Sequence, residues 1–356
     1  MEVMTSRGES GLDRIGYGII GAGWILPNHA IGVQQLRDQG VELTAIADRD
    51  ESRARRAAEE FGARAWTTDH RELLARDDIQ MVSLCLPHHL HKAVAIEAAR
   101  AGKHVLCEKP LALDVDEADA MIAAAREARV ALGVVFQHRY DPPFRRLHRA
   151  IGQGAFGRIL LAEVFHRCPN QTAAEFRDPW RERGETVGGG VMMMQTIHFL
   201  DILLWCLGPV ESVGARVDAR VLARDVEDTG AAVLGFKSGA LGAVVSTEAA
   251  STERISRIEV HGTSGAAVWE NTRWVRWEPA AGYVEEPPEN DEPRLTEAER
   301  ARLLFGTGHI KQIADFVARV RQGLPPPVTA EDGRHATAVV RAMYESSRTG
   351  RTVVVD

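Results

Sequence analysis

The chain has 356 residues, 45% of them hydrophobic and 26% charged, and a formal net charge of -7, which leaves room for two domains around a large core and argues against a nucleic-acid-binding surface. Its four cysteines, Cys85, Cys107, Cys168 and Cys206, stand singly with no CxxC pair and no His/Cys cluster, so neither a zinc site nor a disulfide framework is expected, and no metal. No run approaches membrane-spanning length and residues 1–14 lack the apolar stretch of a signal peptide, so a cytoplasmic protein without a membrane partner is expected.

The first element is the apolar run Ile15–Ile20, a strand, followed by Gly21-Ala22-Gly23 and a helix over residues 24–39 that opens with Trp24 and Ile25. Strand, tight turn and helix in this order place backbone N–H groups and the helix's positive end where a pyrophosphate would rest. Gly21 permits the turn and Gly23 lets the backbone approach the phosphate, while the third glycine of the strict fingerprint is replaced by Leu26. Pro27 is acceptable in the first helical turn, which needs no intrahelical donor.

A second strand, Val41–Ala47, ends at Asp48, near the distance at which an acidic residue takes the adenosine ribose hydroxyls. Asp48 favours NAD; Arg49 beside it offers a guanidinium to a 2′-phosphate and leaves NADP open. Asp50 is placed to cap a helix over Glu51–Phe61. Strand-like and helical runs then alternate: 80–86 and 90–101, His104–Cys107 and 114–129, then 131–136. Such alternation predicts a doubly wound parallel sheet, an α/β Rossmann arrangement.

Beyond about residue 140 the pattern changes. A short basic helix over 142–151 precedes β-rich runs at 231–236 and 240–248, and at 255–261 and Ala266–Glu270, each pair separated by a glycine-containing turn. These read as antiparallel hairpins of a second, α+β domain with an open, mainly antiparallel sheet and helices on one face. The proline- and acid-rich residues 279–293 read as a surface loop.

The sites of chemistry follow from where these elements end. Glu108-Lys109-Pro110 follows His104–Cys107, so Lys109 emerges at a strand's carboxyl end, where open α/β sheets place ligands. Its ammonium can polarise a carbonyl or hold an alkoxide, and with the glycine-rich turn it points to a nicotinamide-dependent oxidoreductase. Three glycines, Gly188 to Gly190, give the backbone close access ahead of a helix over 190–207, along one face of which Met194, His198, Asp201 and Trp205 recur. His198 can take a proton from a hydroxyl as hydride leaves the same carbon.

The order and spacing of Gly21-Ala22-Gly23, Ala101-Gly102-Lys103-His104-Val105 with Glu108-Lys109-Pro110, Gly188-Gly189-Gly190 with Ile197-His198-Phe199-Leu200-Asp201, and Tyr344 to Gly350 resemble the glucose-fructose oxidoreductase, inositol dehydrogenase and MocA family over nearly the whole chain. The resemblance implies a Rossmann domain over 1–138 and a substrate-binding and self-associating domain over 139–356, whose last helix packs back on the first domain. It also implies reversible oxidation of a hydroxyl on a sugar, polyol or inositol-like ring by NAD(P), with Lys109 near the nicotinamide and His198 as the catalytic histidine. A homodimer or homotetramer is expected, closed symmetric assemblies being the common outcome of self-association.

The chain departs from the family at Met194, where many members carry an acidic residue one turn before the histidine; a thioether cannot orient or charge-balance an imidazole. Gln195 is expected to face away from His198, and Asp201 either to bond His198 or to brace the fold; both are also candidate substrate contacts. Glu108 reads as a structural or ribose-side partner, Pro87 and His88 as contacts for the nicotinamide end, and His89 and His91 as helix-start residues or ligands. Arg139 is placed to cross the interdomain cleft, Trp180 and Arg181 to offer a stacking face and a donor to a polyhydroxylated ring, and His309 to reach the pocket. Two other functions stay open: a lyase or glycosidase that oxidises its substrate transiently, and a dinucleotide-binding regulator without catalysis.

Overall fold

The computed structural model describes residues 14–169, 178–222, 224–251, 253–285 and 291–355. The signal-peptide reading of the N-terminus and the middle of the 279–293 loop lie outside the described residues. The first six strands, β1 (Ile15–Ile20), β2 (Val41–Ala47), β3 (Ala65–Thr67), β4 (Met81–Leu84), β5 (His104–Cys107) and β6 (Leu132–Val134), form a parallel sheet in the order β3-β2-β1-β4-β5-β6. The order reverses between β1 and β4, which opens a crevice at their carboxyl ends.

Local chemistry explains the helix boundaries. The Asp50 side chain accepts from the Arg53 N–H and caps Glu51–Phe61, and the Asp114 side chain does the same from Glu117 for Val115–Ala128. The first helix differs from the expected 24–39: it runs Leu26–Gln34, and a separate 3₁₀ turn covers Arg37–Gln39. Trp24 and Ile25 stay in the loop, and Leu26, standing where a third glycine was sought, is buried in the core.

Eight further strands, β7 (Ile159–Pro169), β8 (Val210–Asp218), β9 (Thr229–Phe236), β10 (Leu241–Ala250), β11 (Ile255–Gly262), β12 (Ala266–Glu270), β13 (Arg273–Glu278) and β14 (Val353–Val354), form a second sheet in the order β13-β12-β11-β7-β10-β9-β8-β14. All neighbours are antiparallel except β7 and β10. Alternate residues of β7 and β10, such as Val164 and Val244, join one apolar core with Leu147, Leu200 and Val339 from the covering helices Pro142–Gly152, Ile197–Leu207 and Ala330–Thr349. The other face is open: Phe165, Val233, Leu241 and Val245 are 36%, 59%, 56% and 42% exposed.

The second half of the chain also completes the first sheet's surroundings. Helix Gly308–Arg321 inserts Ile310, Ile313 and Phe316 into the same cluster as Ile31 and Val33. Gln312 holds the end of β6 from this helix, donating to the Val134 carbonyl and accepting from the Phe136 N–H. The last helix, Ala330–Thr349, spans both sheets: Arg334 pairs with Asp119, while Ser346 bonds β8 at Ala215.

One expectation needs correction. The stretch Gly184–Leu207, 24 residues, is long and apolar enough to cross a membrane, although no such run was expected. Within it 83% of the apolar window is buried, as for the core helix of a globular domain.

Candidate active site

A cavity of about 600 Å³ runs from the carboxyl ends of β1, β2, β4 and β5 to the edge of the second sheet. Its walls at one end are Gly21, Gly23, Trp24, Ile25, Asp48 and Arg49, and at the other Pro87, His88, Glu108, Lys109, Trp180, Arg181, Gln195, His198 and His309. Fifteen of the seventeen residues expected to act in catalysis, cofactor binding or substrate binding thus meet in one space; Arg139 and Asp201 do not.

The glycine-rich turn is built for close approach. Gly21 has φ +103°, and a Cβ there would stand 2.2 Å from the Cys85 carbonyl oxygen, so β1 and β4 can lie this close only at glycine. Around Gly23 a Cβ would meet nothing within 4 Å, which leaves its backbone bare toward the cavity. Asp48 holds the turn through one oxygen, accepting from the Ala22 N–H at 2.7 Å, and accepts from the Asp50 N–H with the other at 2.9 Å. Each oxygen keeps a lone pair for a further donor. The Gly21 N–H is taken by the Ala47 carbonyl and the Ala22 N–H by Asp48, so it is the open backbone at Gly23, with the carboxylate at the end of β2, that fits a dinucleotide's pyrophosphate and ribose.

At the far end Lys109 is buried, and its ammonium donates to the Met194 carbonyl at 2.7 Å. Burial pulls its pKa from the ordinary 10.5 down to about 8; the Glu108 carboxylate opposes that pull and the Arg181 charge assists it. His198 is 9% exposed, and burial together with the Lys109 charge pushes its pKa well below the ordinary value, so the imidazole is neutral at pH 7. Its Nδ1 is buried without a partner among the described residues, which leaves Nε2 as the ring nitrogen that the cavity can reach. The nearest ring to it is His138, edge-on at 5.2 Å, itself 2.6 Å from Asp141.

Glu108 is the hub of a buried polar chain. Its Oε1 lies 2.9 Å from His29 Nε2 and 3.3 Å from His309 Nε2, and its Oε2 accepts from the Lys109 N–H at 3.2 Å. His29 continues the chain through Ser83 to the Tyr17 hydroxyl, each step 2.8 Å. Burial alone would raise the Glu108 pKa, but the two histidines outweigh it and hold the group well below the carboxylate range. Lys109 therefore faces a permanent carboxylate. His29, Glu108 and His309 also lie close enough to hold a cation, but the ring nitrogens that would bind it already pair with the carboxylate.

The helix carrying His198 departs from the expected continuous helix over 190–207. Residues Met192–Thr196 form a π-helical turn and the α-helix begins at Ile197. The Glu227 carboxylate accepts from the Gly190 and Met192 N–H groups and from the Tyr344 hydroxyl, while the Thr196 hydroxyl donates to the Val191 carbonyl. The wider turn brings Gln195 to the cavity beside Met194, although it was expected to face away. The glycines serve packing rather than ligand access: a Cβ at Gly189 would stand 1.9 Å from the Tyr344 hydroxyl, and one at Gly190 1.7 Å from the Glu227 carbonyl oxygen.

Asp201 braces the fold instead of bonding His198. It holds Arg139 through two hydrogen bonds of 2.6 and 2.8 Å, and Arg139 also reaches Asp332 at 3.3 Å. Arg139 therefore does not cross the cleft. Trp205 stacks on His148 at 3.8 Å, away from the cavity. His88 Nδ1 donates to the Val187 carbonyl at 2.8 Å and its ring meets Trp180 edge-on at 4.9 Å. His91 ties the Leu86 and Pro110 carbonyls and is structural, whereas His89 lines the cavity. Sequence reasoning missed His29, Glu227, Tyr344, Arg254, Leu304 and Phe305; of these Arg254, Leu304 and Phe305 are cavity walls.

Comparison with known proteins agrees with this geometry. Residues 15–136 match the model described as an oxidoreductase family, NAD-binding Rossmann fold, and residues 148–355 match the C-terminal alpha/beta domain of the same family. The myo-inositol 2-dehydrogenase of Thermotoga maritima is 30% identical over 345 residues, covering 95% of this chain and 98% of that one. Among solved structures, the WlbA dehydrogenase from Bordetella pertussis in complex with NADH and UDP-GlcNAcA superposes with a TM-score of 0.83 at 30% identity, covering 96% of this chain and 99% of that one. Levoglucosan dehydrogenase in complex with NADH gives 0.82 at 25% identity, over 96% and 99%.

Proposed function

Because the chain belongs to the glucose-fructose oxidoreductase, inositol dehydrogenase and MocA family, we propose that Lys109 and His198 carry out the family's hydride-transfer chemistry on a hydroxyl-bearing carbon of a sugar or polyol. The protein is an NAD-dependent oxidoreductase. The observation that carries the residue assignment is the convergence of a lowered-pKa lysine and a neutral histidine on the cavity that holds the glycine-rich turn and Asp48.

Gly21, Gly23 and the loop at Trp24 and Ile25 would hold the pyrophosphate, and Asp48 would take the adenosine ribose, with Arg49 beside it. Bound NAD⁺ supplies the hydride acceptor. His198 takes the hydroxyl proton at Nε2, which its lowered pKa leaves unprotonated and free to accept. Lys109 donates to the same oxygen and stabilises the charge that develops there. Glu108, locked between two histidines, holds the Lys109 backbone and raises its pKa toward the working range. Trp180 offers an apolar face to the ring, and Gln195 and His309 offer polar atoms to its hydroxyls.

We keep the domain boundary at 138/139. Self-association through the open sheet face is the reading that best accounts for the exposed Phe165, Val233, Leu241 and Val245, as a homodimer or homotetramer. The four cysteines, all unpaired, support a reducing cytoplasm.

The test is nicotinamide absorbance when purified protein and NAD⁺ or NADP⁺ meet a panel of inositols, polyols and sugars, with Lys109→Ala and His198→Ala beside the wild type. Reduction with one compound, lost in both variants, supports the assignment. Reduction that survives in either variant removes that residue from the mechanism.

A further inference from the structure

The wall opposite the glycine-rich turn carries a charge that the oxidation of a neutral hydroxyl does not use. Arg181 lines the cavity, and its Nε is buried with no hydrogen-bond partner among the described residues. Its guanidinium lies 4.4 Å over the Trp180 ring and forms no ion pair within 4 Å with any described carboxylate. It is close enough to the reacting end for its charge to act on both Lys109 and His88.

The Asp178 charge acts on Arg181 without an ion pair within 4 Å, and the other nearby carboxylate is engaged. Glu108 is held by His29 and His309, and Met194, which shares this wall, is a thioether. Asp178 is the other acidic residue on this part of the wall, against the cations Lys109, Arg181 and Arg254. Arg181 is half-buried and only its Nε is enclosed without a hydrogen-bond partner, and a planar oxyanion that accepts two parallel hydrogen bonds from a guanidinium would engage that donor.

We propose that the substrate is a sugar or polyol bearing an oxyanion, a carboxylate or a phosphate ester, which Arg181 binds while Lys109 and His198 act on a nearby hydroxyl. The proposal rests on the oxidoreductase reading above and names its substrate class. The substrate then adds a negative charge to those of Glu108 and Asp178 on this wall. Arg181 fixes which hydroxyl reaches His198, because an anchored anion leaves one edge of the ring facing it.

The experiment uses the full chain with NAD⁺ and pairs of compounds: D-glucuronate and D-glucose 6-phosphate against D-glucose and myo-inositol, on wild type, Arg181→Gln and Arg181→Lys. NADH formation gives kcat/KM, and calorimetric titration of the NADH-loaded protein gives binding without turnover. The expected result is a preference for an acidic compound that falls at least about tenfold, as a ratio to its neutral analogue, in Arg181→Gln and is partly kept in Arg181→Lys. Whether the uronate or the phosphate is preferred identifies the anion. If the neutral compounds are oxidised and the acids are not, or if the preference is unchanged in Arg181→Gln, the anion site is overturned while the oxidoreductase reading stands. If nothing is oxidised but an acid binds in an Arg181-dependent way, the anion site stands and the assigned chemistry fails. Neither turnover nor Arg181-dependent binding overturns both.

Discussion

Lys109→Met keeps the length of the side chain and deletes its charge, and it is expected to lower activity while making the cofactor-free protein more stable. Burial brings the Lys109 pKa from 10.5 to about 8. At 1.36 kcal/mol per unit, that fall corresponds to about 3 kcal/mol of folding free energy lost in keeping the residue charged at pH 7. The substitution also removes the 2.7 Å hydrogen bond to the Met194 carbonyl, worth about 1.5 to 3 kcal/mol for a charged donor. A net gain of at most about 1.5 kcal/mol remains at pH 7.

The sign depends on pH in a defined window. The folded pKa lies below the unfolded one, so between pH 8 and 10.5 the unfolded chain still holds a proton that the folded protein has released, and wild-type stability rises with pH. Below pH 8 the penalty is complete; above 10.5 it is gone. Urea unfolding followed by tryptophan fluorescence at pH 7 and pH 10 measures the lead of Lys109→Met over wild type at both ends. A difference between variant and wild type that is the same at both pH values refutes the placement of a charged lysine in this buried site. In the same variant kcat/KM is expected to fall about 10² to 10³-fold, the usual cost of removing one donor from a developing oxyanion.

His198→Ala is expected to lower kcat by about 10² to 10⁴-fold with NADH affinity retained, measured by steady-state kinetics and fluorescence titration. In the oxidative direction, wild-type kcat/KM should stay level from pH 6.5 to about 8, because His198 is neutral throughout, and fall above about 8 as Lys109 loses its proton. Glu108→Gln removes the charge that raises the Lys109 pKa and Arg181→Gln one that lowers it, so their alkaline limbs should move in opposite directions; movement the same way contradicts the electrostatic account. Asp201→Leu, which leaves the Arg139 guanidinium buried and half-paired, should cost about 3 to 5 kcal/mol in urea unfolding, while Arg139→Met with Asp201→Leu recovers most of it; a change in substrate KM in the double variant would place the pair in the site after all.

The glycine-rich end of the cavity was legible because its signals are local. A strand, two glycines and an acidic residue at the end of the next strand lie within one short stretch, and the backbone geometry of Gly21 needs no tertiary information to anticipate. Lys109 was legible for the same reason, as a charge at the end of a short apolar strand. The Met192–Thr196 turn was not, since nothing in that run distinguishes an i→i+5 turn from an α-helix; the Glu227 carboxylate and the Thr196 hydroxyl that accompany it act from outside the helix ladder. Gln195 was therefore turned the wrong way. Arg139 and Asp201 looked like ligands because polar residues inside apolar segments invite that reading, but their mutual pairing across 62 residues of sequence is a tertiary fact. His29, in the middle of an apolar helix, is the one missed residue whose position carried a signal.

The helix Gly308–Arg321 has a consequence for how the protein is made. It covers the face of Leu26–Gln34 and brings His309 to Glu108, yet it is translated long after β6 is complete. At ordinary elongation rates the ribosome takes on the order of ten seconds or more to cross that gap. Throughout that interval the nascent Rossmann sheet exposes Ile31, Val33 and their neighbours, and Glu108 lacks one of its two histidines. The first domain cannot reach its final packing on the ribosome before most of the second has emerged, so a truncation ahead of Gly308 leaves that apolar surface uncovered.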